Sequence, residues 1–341
     1  PQDNIMDHRY RALLEWLETI LPATPDAVTP VAGDASFRRY FRIQIGDETH
    51  VAMDAPPEKE GSDAFLALAR HWHRYGLHVP AVLETDLAQG FLLLEDLGDD
   101  LYLNRLHDEA TADILYGDAL EALIHIQPRS SPPDYSQPDY DTALLEREMQ
   151  LFPDWLLERK LALHLSSQEK AMLQTTFHTL IESALAQPRV TVHRDYHSRN
   201  LLVTDSNSPG IIDFQDAVNG PITYDPVSLL KDCYIRWPDE AVDRWLEQFR
   251  EAAERAGLHH ADSATFRQWF ELMGIQRHLK AAGIFARLDV RDGKAGYLAD
   301  IPRVLDYMVS AAYRQPALAH FAGWLEERVV PAMNRELEAT A

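Results

Sequence analysis

The chain has 341 residues, 46% of them hydrophobic, with 54 acidic against 32 basic side chains and a formal charge of −22. That length can bury a core large enough for two lobes, and so negative a surface repels phosphate backbones and anionic membranes. Nucleic acid and membrane are excluded as partners on this ground, and no protein partner is inferred. The single cysteine, Cys233, rules out an intramolecular disulfide and a thiolate metal cluster. The opening stretch lacks the apolar core of a signal peptide, and no stretch approaches the roughly 20 apolar residues of a membrane span, so a cytoplasmic protein is expected.

The first element is an amphipathic helix over residues 9–21, "RYRALLEWLETIL". Strand signals follow. In "FRRYFRIQI" the residues Phe41, Ile43 and Ile45 alternate with Tyr40, Arg42 and Gln44, "GDE" turns the chain, and "THVAMDA" begins the next strand. Ser62 is placed to cap a helix running to about Tyr75, and the runs "AVLET" and "GFLLLEDL" give two more strands across a turn at "DLAQG". Beyond about residue 108 the pattern is helical, with helices expected at 110–126, 142–164, 167–186, 239–256, 264–286, 299–313 and 317–338. "SSQE" at 166–169 has capping-box spacing, and "PRSSPPDYSQPDYD" is a surface loop.

Among these helices lies one polar cluster bounded by strand-like runs, "VTVHRDYHSRNLLV" at 190–203, followed by a turn and "GIIDFQDA". Asp195 and Asn200 share the loop, and a hairpin would return Asp213 beside them. Three oxygen-bearing side chains at strand ends suit a hard cation such as Mg²⁺, which takes one or two carboxylates and fills its shell with waters and phosphate oxygens. The spacing His193-x-Asp195-x-x-x-x-Asn200, with Asp213 and Phe214 thirteen residues on, resembles the kinase catalytic loop and its metal-binding Asp.

The resemblance extends over the whole chain and implies an α+β, bilobal, protein-kinase-like fold. A small antiparallel-sheet lobe with the hinge would span 1–97, and a larger, mostly helical lobe 98–341. No activation segment ending in A-P-E follows "DFQDA". Asp225 and Pro226 instead open a helix, which is similar to the aminoglycoside phosphotransferase and choline kinase group. "VAGDASFRRYFRI", "VAMDAPPE", "HRDYHSRNLLV", "GIIDFQDAVNGPITYDPVSLLKDCY" and "GIQRHLKAAGIFARL" resemble more closely the bacterial cell-wall sugar kinases that phosphorylate N-acetylmuramate and N-acetylglucosamine on the anomeric hydroxyl. That likeness implies ATP and Mg²⁺ as cofactors, an amino sugar as the small-molecule partner and a place in peptidoglycan recycling.

By the same resemblance Asp195 orients or accepts the proton of the attacking hydroxyl, while Asn200 and Asp213 hold Mg²⁺. His193 and Asp225 support the loop. The backbone from Glu95 to Leu97 meets the adenine edge, and the turn "AGDASF", with Gly33 and Ser36, covers the phosphates although it has one glycine where kinases have three. His197 and Arg199 either meet substrate or serve as solvated or capping groups. Arg277 and Lys280, with Gln276 on the same helix, place basic groups toward a sugar carboxylate or toward solvent.

One position breaks the pattern. Aligning the kinase V-A-x-K onto "VAMD" puts Asp54 at the lysine, on the face of Ala52 and toward the nucleotide, and the helix of Asp63 to Tyr75 lacks the partner glutamate. Arg38, Arg39 and Arg42 are then the candidate replacement cations, and Arg42 is taken as ATP-binding. A phosphotransferase for aminoglycosides or another small alcohol, or a nucleotide-binding pseudokinase, are the competing readings.

Overall fold

The computed structural model describes residues 2–31 and 37–340, so Gly33 and Ser36 lie outside the described residues. Helix α1 (Gln2–Ile20) leads into a five-stranded antiparallel sheet of β1 (Ala27–Val31), β2 (Arg39–Ile45), β3 (Glu48–Asp54), β4 (Val82–Asp86) and β5 (Phe91–Glu95). Its order is β1-β2-β3-β5-β4, with helix α2 (Asp63–Arg74) inserted between β3 and β4. Ser62 stands at the N-terminus of α2 as expected, but its side chain makes no capping hydrogen bond. The turn between β4 and β5 requires Gly90, whose φ is +76° and where a Cβ would fall 1.9 Å from the Ala55 carbonyl oxygen.

Strand alternation gives this sheet two apolar faces. Phe41, Ile43, Ala52, Phe91 and Leu93 pack beneath Leu13, Trp16 and Leu17 of α1. The leucine, isoleucine and phenylalanine side chains among these each contribute about 1.5–3 kcal/mol relative to exposure. Met53, Leu92 and Leu94 point the other way and join Phe65, Leu68, Ala69 and Trp72 of α2 in the main core. Ala52 and Asp54 do share a face, but it is the one covered by α1, so the expectation that Asp54 faces the nucleotide is overturned. The residue on the inner face is Met53.

Asp54 is fully buried there and is held by two arginines. Arg9 of α1 donates Nε to Oδ1 at 2.9 Å, and Arg39, directly across the β2–β3 ladder, donates Nε to Oδ2 at 3.0 Å. The carboxylate thus ties α1 to the sheet. It does not oppose phosphate.

The larger part of the chain is helical. It comprises α3 (Glu109–Ile126), α4 (Thr142–Leu151) continuing in wide π turns to Lys160, α5 (Ser167–Ala186), α6 (Tyr224–Leu230), α7 (Asp239–Arg255), α8 (Ser263–Asp292), α9 (Ile301–Tyr313), α10 (Ala319–Trp324) and α11 (Val330–Thr340). The capping box of α5 forms between Ser166 and Glu169 as read from its spacing. Helix α8 outruns its expected end at 286 because Leu288 stays buried, and Gly293 caps it in the left-handed conformation. Gly283 brings α8 against the backbone at Leu151, where a Cβ would lie 2.4 Å from the carbonyl carbon.

Between α5 and α6 run two short hairpin-like sheets. β6 (Arg189–Val192) pairs with β9 (Val218–Pro221), and β7 (Leu201–Leu202) pairs with β8 (Gly210–Ile211). The β7–β8 pairing is the one expected from "NLLV" and "GIID". β9, with only four residues, carried no signal that the sequence reading used.

The placement of Asp54 gives a test. Asp54→Asn removes the charge both arginines share, and because those arginines are partly solvated the cost should be about 2–3 kcal/mol, below the 3–5 typical of a fully buried pair. Urea denaturation should register that loss, while the KM for ATP stays within about twofold, since the side chain lies across the sheet from the inner face.

Candidate active site

The loop from His193 to Asn200 leaves β6 and returns in β7, and two buried carboxylates from the α6 region hold its backbone. Asp225 accepts the amide hydrogens of His193 at 2.7 Å and Arg194 at 3.0 Å. Asp232, just past α6, accepts those of Ser198 and Tyr234, each at 2.9 Å. These bonds sustain a left-handed Arg194, φ 88°, a conformation that costs a non-glycine residue about 1–3 kcal/mol. Asp213, φ 59°, carries the same kind of strain at the far side of the site.

His193 joins the two sides. Its Nδ1 accepts the Asp195 amide at 3.1 Å, which leaves Nε2 to donate to the Ile212 carbonyl at 2.9 Å. Burial pushes its pKa down to about 4, so the ring is neutral, as this accepting and donating pair requires. Its support role is thereby given a geometry. Asn200 donates Nδ2 to the Asp195 carbonyl at 3.0 Å and to Asp213 Oδ2 at 3.2 Å, and Gln215 donates to Asp213 Oδ1 at 2.6 Å. Asn200 and Asp213 therefore meet side chain to side chain, with the backbone of Asp195 beside them. With Nδ2 spent on Asp195, the oxygen of Asn200 is its remaining donor toward a cation, and together with Asp213 it meets the modest protein contribution that Mg²⁺ takes beside phosphate.

Aromatic packing connects this site to the sheet. Phe214 stacks on Phe65 of α2 with centroids 5.0 Å apart, and Trp72 of α2 lies 5.5 Å from Phe214 and 6.2 Å from His193. All four rings are buried.

The electrostatics centre on Asp195. Burial alone would raise its carboxyl, but Lys280, His197 and Arg277 outweigh that and hold it at about 2. Lys280 reaches in from α8, its Nζ donating to Tyr224 Oη at 3.1 Å and lying 3.2 Å from Glu148. Glu148 of α4 also pairs with Arg194 and accepts from Tyr140, and Tyr140 in turn receives Nε2 of Gln276 at 3.4 Å. Burial works against the Glu148 carboxylate, yet Lys280 and Arg194 keep its pKa below the usual value. Asp225 sits at the opposite extreme: burial pushes it up to about 7 against the pull of its two amide donors.

The remaining expected residues divide by location. Arg277 is buried with Nη1 on Cys233 Sγ at 3.4 Å, so it acts on Asp195 through its charge. His197 stands edge-on to Tyr234, and the exposed Arg199 lies over Tyr234 at 4.7 Å and Tyr297 at 5.5 Å. Arg42, expected to bind ATP, is paired with Asp96 and Asp99 just after β5, with Nε 2.6 Å from Asp96 and Nη1 2.7 Å from Asp99. Glu95 spends its amide on the Ala81 carbonyl at 2.9 Å, while Leu97 packs toward Gly210 of β8. Glu148 and Asp232 were missed from sequence. Glu148 had a signal, being the acidic member of the stripe Leu145, Glu148 and Met149 that α4 buries.

Residues 27–267 match the phosphotransferase enzyme family. The chain belongs to that family. Over 332 residues it is 45% identical to the N-acetylmuramate/N-acetylglucosamine kinase of Pseudomonas putida, a match covering 94% of this chain and 97% of that one. The enzyme of the same name from Neisseria meningitidis is 40% identical over 322 residues, covering 93% and 95%. Among solved structures, aminoglycoside phosphotransferase APH(2'')-Ib with ADP bound aligns with a TM-score of 0.60 at 14% identity, covering 89% of this chain and 98% of that one. Choline kinase LicA from Streptococcus pneumoniae aligns with 0.63 at 11%, covering 89% and 99%. The structures bear on the fold, which is the bilobal, protein-kinase-like α+β architecture expected. Among the described residues, no helix is long and apolar enough to cross a membrane.

Two outcomes follow from the site. Asp195→Asn should lower kcat by about 10²–10⁴-fold, the range for loss of a positioned acid–base group, with nucleotide affinity retained in a direct binding titration. Lys280→Met removes the strongest charge holding Asp195 low, so the Asp195 pKa must rise, and the acid limb of kcat/KM should move to higher pH than in the wild type.

Proposed function

We propose that the protein is an ATP-dependent kinase that phosphorylates the anomeric hydroxyl of N-acetylmuramate and N-acetylglucosamine, giving the sugar 1-phosphates used in peptidoglycan recycling. The observation that carries this reading is the intact trio of Asp195, Asn200 and Asp213 in a chain that matches N-acetylmuramate/N-acetylglucosamine kinases along nearly its full length. ATP lies between a sheet lobe ending at Leu97 and the helical lobe, with the Leu97 backbone at the adenine edge. An ATP donor also suits a cytoplasmic enzyme.

Phosphoryl transfer asks the protein mainly to position groups and to neutralise developing charge. Asn200 and Asp213 would hold Mg²⁺, which when bound would offset the charge of the phosphates. Asp195, ionised at any physiological pH, accepts the hydrogen bond of the acceptor hydroxyl, aims its oxygen and takes the proton as that oxygen bonds the terminal phosphorus of ATP and the bond to the departing ADP breaks. A carboxylate held at about 2 is a weak base. It suits an anomeric hydroxyl, which is more acidic than an ordinary alcohol.

Lys280 and Arg277 are committed to Glu148, Tyr224 and Cys233, so the exposed Arg199 is the cation we assign to the lactyl carboxylate of N-acetylmuramate. Arg199→Gln should therefore lower kcat/KM for N-acetylmuramate about 10-fold, the scale of one charge-assisted hydrogen bond, with a smaller change for N-acetylglucosamine, which has no carboxylate.

The decisive assay supplies Mg²⁺ and ATP with each amino sugar, its 1-O-methyl glycoside, kanamycin and choline. Both free sugars should be phosphorylated and the glycosides should not. Turnover of a methyl glycoside would refute the anomeric assignment, and turnover of kanamycin or choline in place of the sugars would refute the acceptor class.

A further inference from the structure

The inner face of β3 presents Met53 where a kinase presents its phosphate-gripping lysine, so this chain must bring a positive charge to the phosphates by another route. Of the three arginines flanking the hairpin, Arg39 is bound to Asp54 on the face beneath α1, and Arg42 is clamped by Asp96 and Asp99 at the hinge. Arg38 differs from both. It shares the alternation of Tyr40 and Arg42, hence the inner face, and it lies one residue beyond the β2 register pair Arg39–Asp54.

Its side chain is only 3% exposed and donates from Nη2 to Glu60 Oε1 at 2.7 Å. Glu60 belongs to the loop just before α2. The Arg38 guanidinium also sits 6.0 Å from the ring of Phe65, the same ring that stacks on Phe214, the neighbour of Asp213. A buried cation is thus one aromatic pair away from the metal-binding carboxylate, and it directly follows the turn read as covering the phosphates. Burying a guanidinium costs several kcal/mol unless anions compensate. Glu60 supplies it with a carboxylate, and a planar fork of donors suits phosphate oxygens.

We propose that Arg38 grips the phosphates of the nucleotide and that Glu60 positions it, the two together replacing the third-strand lysine and the helix glutamate. The roles have exchanged strands. The cation has moved from β3 to the start of β2, and its partner from within α2 to the loop before it. This rests on the reading of ATP as phosphoryl donor.

The test is calorimetric titration of wild type, Arg38→Gln, Arg38→Lys and Glu60→Gln with adenosine, with ADP plus Mg²⁺ and with a non-hydrolysable ATP analogue plus Mg²⁺. Arg38→Gln should lose about 10- to 100-fold of the preference for the phosphorylated ligands over adenosine, the scale of one or two charge-assisted hydrogen bonds, with adenosine affinity unchanged. Arg38→Lys should keep most of that preference, and Glu60→Gln should lose a smaller part. A folded Arg38→Gln protein with the wild-type preference overturns the assignment. Should that variant not fold, Glu60→Gln decides, because an unchanged preference there reduces the pair to a structural contact and overturns it equally. A wild type that binds none of these ligands would instead remove the ATP reading, and the assignment with it.

Discussion

Asp225 accepts two consecutive backbone amides at the entrance of the His193–Asn200 loop, and most of the site's geometry follows from that contact. The bonds hold His193 and Arg194 in place although Arg194 has a left-handed backbone, and they set the direction in which the chain enters Asp195. His193 can then bond both the Asp195 amide and the Ile212 carbonyl, fixing the distance between the loop and the strand that delivers Asp213. Asp232 does the same for the middle of the loop. Both carboxylates come from one short, wholly buried helical segment and its exit, so the loop is shaped by the helical core and not by its own sequence.

The site also shows how buried charges are made tolerable. Glu148, Arg194 and Lys280 are largely withdrawn from water, and each alone would cost several kcal/mol. Together they alternate in sign and are completed by Tyr140 and Tyr224. The surplus positive charge of Lys280 and Arg277 falls on Asp195, which stays ionised despite its burial. A chain with a net charge of −22 thus gathers buried cations around one carboxylate.

Helix α1 gives the sheet region its polarity. By covering one face, through Leu13, Trp16 and Leu17 and through Arg9 on Asp54, it leaves the other to α2 and the loop. Aromatic contacts from Phe65 and Trp72 then run straight to Phe214 and His193, so the helix inserted in the sheet and the loop segments of His193 and Phe214 share one core.

What the sequence determined by itself was local. The alternation of β2, the capping box of α5, and the order and spacing of Asp195, Asn200 and Asp213 were all legible, because hydrogen-bond periodicity and short loops tie such features to neighbouring residues. Asp225 and the loop-supporting role of His193 were readable through resemblance. The tertiary structure decided the rest. Alternation correctly paired Ala52 with Asp54, yet it could not say which face α1 would cover, so Asp54 was assigned to the wrong side of the sheet. Glu148 meets Lys280 and Arg194 across three separate elements, and Asp232 meets Ser198 across a helix, contacts that no periodicity encodes. Which face of a strand meets the cleft, and which buried charges meet each other, are set by how the elements pack, and packing is a property of the whole chain.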